Sequence, residues 1–89
     1  MLPMEIERKI LSSIESIEDL SKLKLRNINQ FCFVVYRDVY NFILDYCKNY
    51  SSIPSKDLLE ASFNNFQKDE NISKDEVEYL VTELNKLDL

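Results

Sequence analysis

The chain contains no glycine in 89 residues. At an average glycine frequency of about 7%, roughly six would be expected. Glycine is the residue that most readily adopts left-handed turns and lets the backbone approach a phosphate group. Its absence excludes a P-loop and a dinucleotide-binding fingerprint from this chain. It also disfavours tight β-hairpin turns. We therefore predict an all-α fold with polar loops.

Histidine is also absent. This removes the most common general base, a common zinc ligand, and any Ser-His or Cys-His catalytic pair. The net charge is −5, from 11 basic and 16 acidic residues, so no basic surface predominates and tight binding to nucleic acid is not expected. We predict a non-catalytic protein with no catalytic residue, cofactor or metal site in this chain.

The size of the chain favours one small domain over residues 1–89, with 45% apolar residues to form its core. A secretory signal would need a basic leader followed by a long apolar run, and the sequence shows no such pattern. Two cysteines without such a signal suggest a reducing compartment, and we expect a cytoplasmic protein.

Two helices are predicted at the N-terminal end. Pro3 suits the first turn of a helix, and the spacing of isoleucines predicts that this helix covers residues 4–15. Ser16 is the N-cap of a short second helix, and Asn27 and Asn29 break its pattern. The predicted buried side of the second helix is Ile17, Leu20 and Leu23.

Two further helices are predicted in the C-terminal half. Ser55 is a good N-cap for the first of them, and residues 67–71 form a charged loop. Ser73 and Glu76 form an S-x-x-E capping box, which begins a last helix that runs to the end of the chain. The predicted inner face of the first is Leu59, Phe63 and Phe66. The apolar stripe of the last is Val77, Leu80, Val81, Leu84 and Leu87.

Residues 31–50, FCFVVYRDVYNFILDYCKNY, hold both cysteines and four of the five tyrosines. On a helical wheel, Val34 falls among the polar residues, so we predict that the regular helix begins near Val34 or Val35 and that "FCF" leads into it. The polar arc is Arg37, Asp38, Asn41, Asp45, Lys48 and Asn49. The arc predicted to be buried is Cys32, Tyr36, Val39, Phe42, Ile43, Tyr46, Cys47 and Tyr50. The predicted fold is a small bundle of about five helices around this long, central, aromatic-rich helix.

Other interpretations of the same stretch fail on length or geometry. Its uninterrupted apolar run covers only residues 31–36, whereas a membrane span needs about 20 residues. Cys32 and Cys47 would lie roughly 22 Å apart along a helix, against about 4.4–6.8 Å for the Cα atoms of a disulfide. We therefore predict free, structurally buried thiols. Rings that lie opposite a polar arc of mixed charge favour core packing over a nucleic-acid platform.

One boundary of the aromatic face remains open to two interpretations. Phe33, Tyr40 and Leu44 cluster there, and they either complete the core or contact a partner. They are the candidate partner interface. Neighbouring carboxylates are interpreted as solvated or capping charges, because residues one or two apart on a helix do not share a face. These pairs are Glu5 and Glu7, Glu18 and Asp19, and Asp75 and Glu76.

Short motifs recur along the chain in a particular order. ERKILSSI (7–14) contains E-x-x-[IL]-L, LRNINQF (25–31) ends a loop on phenylalanine, and IPSKDLL (53–59) is a proline-serine turn before an apolar pair. Between them lies F-x5-R-x-[IV]-[YF]-x2-I, matched by Phe31, Arg37, Val39, Tyr40 and Ile43. This order, over about residues 4–66, resembles the N-terminal domain of DnaB-type replicative helicases, especially phage-encoded ones. Tyr36 departs from the histidine usual in that family, and a proline that often follows the phenylalanine is missing.

The resemblance implies a non-catalytic assembly domain of a hexameric DNA helicase. Such a domain supports the ring and contacts other helicase subunits, a primase or a helicase loader during DNA replication. ATP and Mg²⁺ are then expected only in a motor domain, which this chain lacks together with the family's helical hairpin. We expect a monomer or weak dimer in the cytoplasm, which is the host cytoplasm if a phage encodes it, with no membrane contact. The alternative is a complete small phage adaptor that binds a host replication or transcription enzyme.

Overall fold

The computed structural model describes residues 3–87 and is built from five α-helices. They are α1 (Pro3–Ser12), α2 (Ile17–Leu25), α3 (Arg37–Tyr50), α4 (Lys56–Ser62) and α5 (Lys74–Leu87), and one 3-10 turn, Gln30–Cys32, lies between α2 and α3. No β-strand occurs within residues 3–87. The predicted all-α class and helix number are confirmed.

Helices α1 and α5 share the most extensive helix–helix contact within residues 3–87. Apolar residues recur at three- and four-residue spacing on both helices and form one stripe on each. These residues are all less than 5% exposed: Ile6, Ile10, Leu11, Leu80, Val81 and Leu84. The side chain of Leu87, predicted to extend the stripe of α5, lies outside the described residues, as do residues 88 and 89.

Helix α1 ends earlier than the predicted residue 15. The hydroxyl of Ser12 donates to the carbonyl of Arg8 at 2.7 Å, and that of Ser13 donates to the carbonyl of Ile10 at 2.6 Å. Such local side-chain bonds compete with the backbone ladder at a helix end. The chain turns here, and Ile14 still enters the core at 2% exposure.

Helix α2 begins at the predicted cap. The hydroxyl of Ser16 accepts from the N–H of Asp19 at 3.2 Å. Leu20 and Leu23 are buried as predicted, but Ile17 is 44% exposed. Ile17 lies about 120° from Leu23 around the helix and in its first turn, which places it at the margin of the buried face.

Helices α2 and α3 are each followed by a residue in the left-handed conformation, and in neither case is it glycine. Asn27 has φ 64°; its N–H donates to Lys24 O, and the N–H of Ile28 donates to Leu23 O, both at 3.0 Å. This pair of bonds is the Schellman motif. It confirms the predicted break at Asn27. Helix α3 ends similarly, with Ser51 at φ 54°.

Helix α3 begins at Arg37, two to three residues later than predicted, and "FCF" lies outside the helix as expected. Its predicted polar arc is exposed except for Asn41, which is half-buried, and Val39, Tyr40 and Ile43 are buried. Ile43 is the last fully buried residue of α3. Beyond it, three residues predicted to be buried are only half-buried, and Tyr50 is 67% exposed. The half-buried residues are Phe42, Tyr46 and Cys47.

The second half of α3 is covered mainly by its own aromatic rings. The ring centroids of Phe42 and Tyr46 lie 6.2 Å apart, and those of Tyr46 and Tyr50 lie 4.7 Å apart. Phe63 meets Phe42 edge-on at 5.5 Å. A helical wheel shows which face of a helix is the most apolar, but it does not show how far a neighbouring helix covers that face. This explains why the prediction of burial was wrong for Tyr50.

Helices α4 and α5 both begin at the predicted serines. The hydroxyl of Ser55 accepts from the N–H of Leu58 at 3.1 Å, and that of Ser73 accepts from the N–H of Glu76 at 3.2 Å. The carboxylate of Glu76 accepts from Lys9 at 3.3 Å and thereby ties α5 to α1.

The predicted inner face of α4 is only partly helical, because α4 ends at Ser62. Leu59 and Phe66 are fully buried and Phe63 is half-buried. Phe66 reaches the core through a turn in which its N–H donates to Phe63 O at 3.1 Å. Its position therefore depends on the loop and not on helical spacing.

Asp19 joins α2 to α5. Its carboxylate accepts from Lys74 Nζ at 2.8 Å and from the N–H of Glu15 at 3.1 Å. Burial raises the pKa of Asp19, but the hydrogen bonds from Lys74 and Glu15 outweigh it, so the pKa lies below its ordinary value.

Replacing Ser51 with glycine tests the cost of the left-handed helix end. A residue with a Cβ atom is strained there, so we expect Ser51→Gly to raise the free energy of unfolding by about 0.5–1 kcal/mol in urea denaturation. The matched control is Ser52→Gly at the next residue, which lacks a positive φ and should gain nothing. Equal losses of stability in both variants would contradict this account.

Candidate interaction surface

The backbone between α2 and α3 lacks regular hydrogen bonding outside one 3-10 turn, so its polar groups need partners from side chains. We call residues 28–36 the clamped segment. The hydroxyl of Tyr40 donates to Ile28 O at 3.1 Å. The side chain of Asn29 accepts from the N–H of Phe31 at 2.8 Å. Arg37 Nε donates to Phe33 O at 3.0 Å and to Gln30 O at 3.2 Å.

The strongest clamp is the carboxylate of Glu7, which projects from α1. It accepts from the N–H groups of Val34 and Val35 at 3.0 Å and of Tyr36 at 2.9 Å. Glu7 is 1% exposed. Hydrogen bonds to an ionised acceptor are stronger than neutral ones, and three of them offset much of the cost of burying the carboxylate.

Glu7 serves as a cap for a helix to which it does not belong. Tyr36, at the N-cap of α3, makes no side-chain capping bond, and Glu7 binds the amides just before the first helical residue. The sequence predicted a solvated or capping charge at Glu7. The structure shows a buried capping charge whose partners lie on another element. The one sequence signal for this role of Glu7 was that no residue with a good capping side chain stands directly before α3, so the cap had to come from elsewhere in the chain.

The residues of the candidate interface, Phe33, Tyr40 and Leu44, lie mainly in the core. Phe33 is 0% exposed and Tyr40 is 1% exposed, and their ring centroids lie 4.6 Å apart. Leu44 is half-buried and packs against the core. The structure therefore brings Phe33 and Tyr40 together, but inside the fold, where neither presents a surface to a partner.

The phenol of Tyr40 is a buried donor with one defined acceptor, Ile28 O. Burial raises the pKa of Tyr40 to about 12, and the Cys32 thiol adds to the effect. Tyr40 therefore stays protonated at neutral pH and keeps donating its hydrogen bond. In this way it holds the start of the clamped segment against α3.

The clamped segment presents other apolar side chains to solvent. Phe31 is 66% exposed, Val34 is 78% exposed and Val35 is 44% exposed, and we call these three residues the apolar patch. The other residues of this stretch, Cys32, Phe33 and Tyr36, are buried. The position of Val34 on the polar arc was the one sequence signal for this surface.

Two features surround the apolar patch. A depression of about 300 Å³ lies between it, Pro3 and Leu84. The guanidinium of Arg37 lies 5.6 Å from the centre of the Phe31 ring and restrains it. The patch is therefore an apolar surface on a backbone that is hydrogen-bonded to the rest of the fold.

Candidate chemistry is limited in the part of the chain that the structure describes. No group of His, Cys, Asp or Glu within residues 3–87 could hold a metal ion. Both thiols are free; Cys32 is buried and Cys47 is half-buried. Among the helices of residues 3–87, none combines the length and the apolar character that crossing a bilayer requires.

Comparison with models of known protein families, with curated proteins and with solved structures finds no match to this chain.

Replacing Glu7 with glutamine tests the remote cap. The amide removes the charge and turns a donor towards the backbone N–H groups, so we expect the free energy of unfolding to fall by about 3 kcal/mol. Urea denaturation followed by circular dichroism measures the loss.

Glu5→Gln is the matched control, since Glu5 lies two residues away in the same helix and is half-buried. It should cost less than about 1 kcal/mol, the value of a charge in the first turn of a helix. Equal losses for the two variants would show that Glu7 has no special role.

Proposed function

We propose that this chain is the globular head of the N-terminal domain of a DnaB-type replicative helicase. In this role it is non-catalytic and acts by contacting other helicase subunits, a primase or a helicase loader during DNA replication. It acts in the cytoplasm, or in the host cytoplasm if a phage encodes it. By itself it is a monomer or a weak dimer.

The proposal rests on one observation: residues of two separate motifs bind the same segment of backbone. Glu7 belongs to the E-x-x-[IL]-L motif, and Arg37 and Tyr40 belong to the motif that begins at Phe31. These motifs are far apart in sequence, yet all three side chains bind the backbone of the clamped segment. A shared structural task explains why glutamate, arginine and tyrosine occur in this order and spacing.

Tyr36, where the family usually has histidine, has a defined task of its own. Its hydroxyl donates to Asn65 O at 3.0 Å, and its ring meets Phe66 edge-on at 5.4 Å. It therefore ties the clamped segment to the loop after α4. This departure from the family pattern is accommodated by a hydrogen bond and a packing contact, so it leaves the proposal intact.

The apolar patch gives the proposed contact a physical basis. Its backbone is already immobilised, so a partner that binds it does not have to order the segment. Exposed aromatic and aliphatic side chains in such a setting are typical anchors of protein interfaces. ATP and Mg²⁺ would act on a separate motor domain, and no residue of this chain is assigned a part in that chemistry.

The alternative of a small phage adaptor loses one of its two motivating observations. It rested on the acidic balance of the chain and on a partner interface at Phe33, Tyr40 and Leu44. The burial of Phe33 and Tyr40 removes them from any interface in this conformation.

A titration of the purified, labelled chain with the primase, the helicase loader and the helicase subunit of the same source tests the proposal. We expect at least one of them to bind in the micromolar range by fluorescence anisotropy. Phe31→Asp should weaken that binding about tenfold or more, because it places a charge in the contact. Val34→Asp should act in the same direction.

Tyr79→Asp is the matched control, since Tyr79 is 61% exposed on α5 and is not part of the apolar patch. It should leave binding within about twofold. Failure of all three proteins to bind at about 100 µM would contradict the proposed function. Equal effects of Phe31→Asp and Tyr79→Asp would contradict the assignment of the surface.

A further inference from the structure

We draw no further inference here: the strongest candidate, the apolar groove between α2 and α5 above Leu23, Val77 and Val81, carries none, because the cations at its rim are paired with carboxylates and nothing in the structure of residues 3–87 shows what covers it.

Discussion

The fold depends on one buried carboxylate, that of Glu7, which holds the start of α3 against α1. Three backbone N–H groups converge on it, and this convergence fixes the backbone of residues 34–36. Helix α3 then begins at Arg37, which places Arg37 and Tyr40 where they can bind carbonyl groups of the clamped segment. The same backbone carries both the buried side chains of Cys32, Phe33 and Tyr36 and the exposed side chains of the apolar patch.

Burying a carboxylate is costly unless its oxygen atoms accept hydrogen bonds from nearby donors. Here the three bonds to Glu7 hold the backbone beneath the exposed apolar patch, and the proposed partner would not have to order it. At the ends of α2 and α3, Asn27 and Ser51 adopt the left-handed conformation that glycine usually provides, since the chain has no glycine. The proposed contact with a protein partner would use the apolar patch in this conformation.

Much of the fold could be predicted because its signals are local. Ser16, Ser55 and Ser73 each cap a helix within three residues of sequence. The task of Glu7 could not be predicted in this way, because its partners are 27 to 29 residues away. A helical wheel placed Phe33 and Tyr40 at a boundary, and only the packing of the other helices decided that they are buried. The same limit explains why the exposure of Tyr50 was missed.

The exchange of the backbone amides of Val34, Val35 and Tyr36 with solvent deuterium, followed by NMR, tests whether Glu7 holds this segment. Val34 is the informative residue, because it is 78% exposed although its N–H donates to Glu7. If Glu7 holds the segment, all three amides should exchange about a hundredfold or more slowly than those of an unstructured chain. Exchange of these three amides at the rate of an unstructured chain would contradict the claim that Glu7 holds the segment.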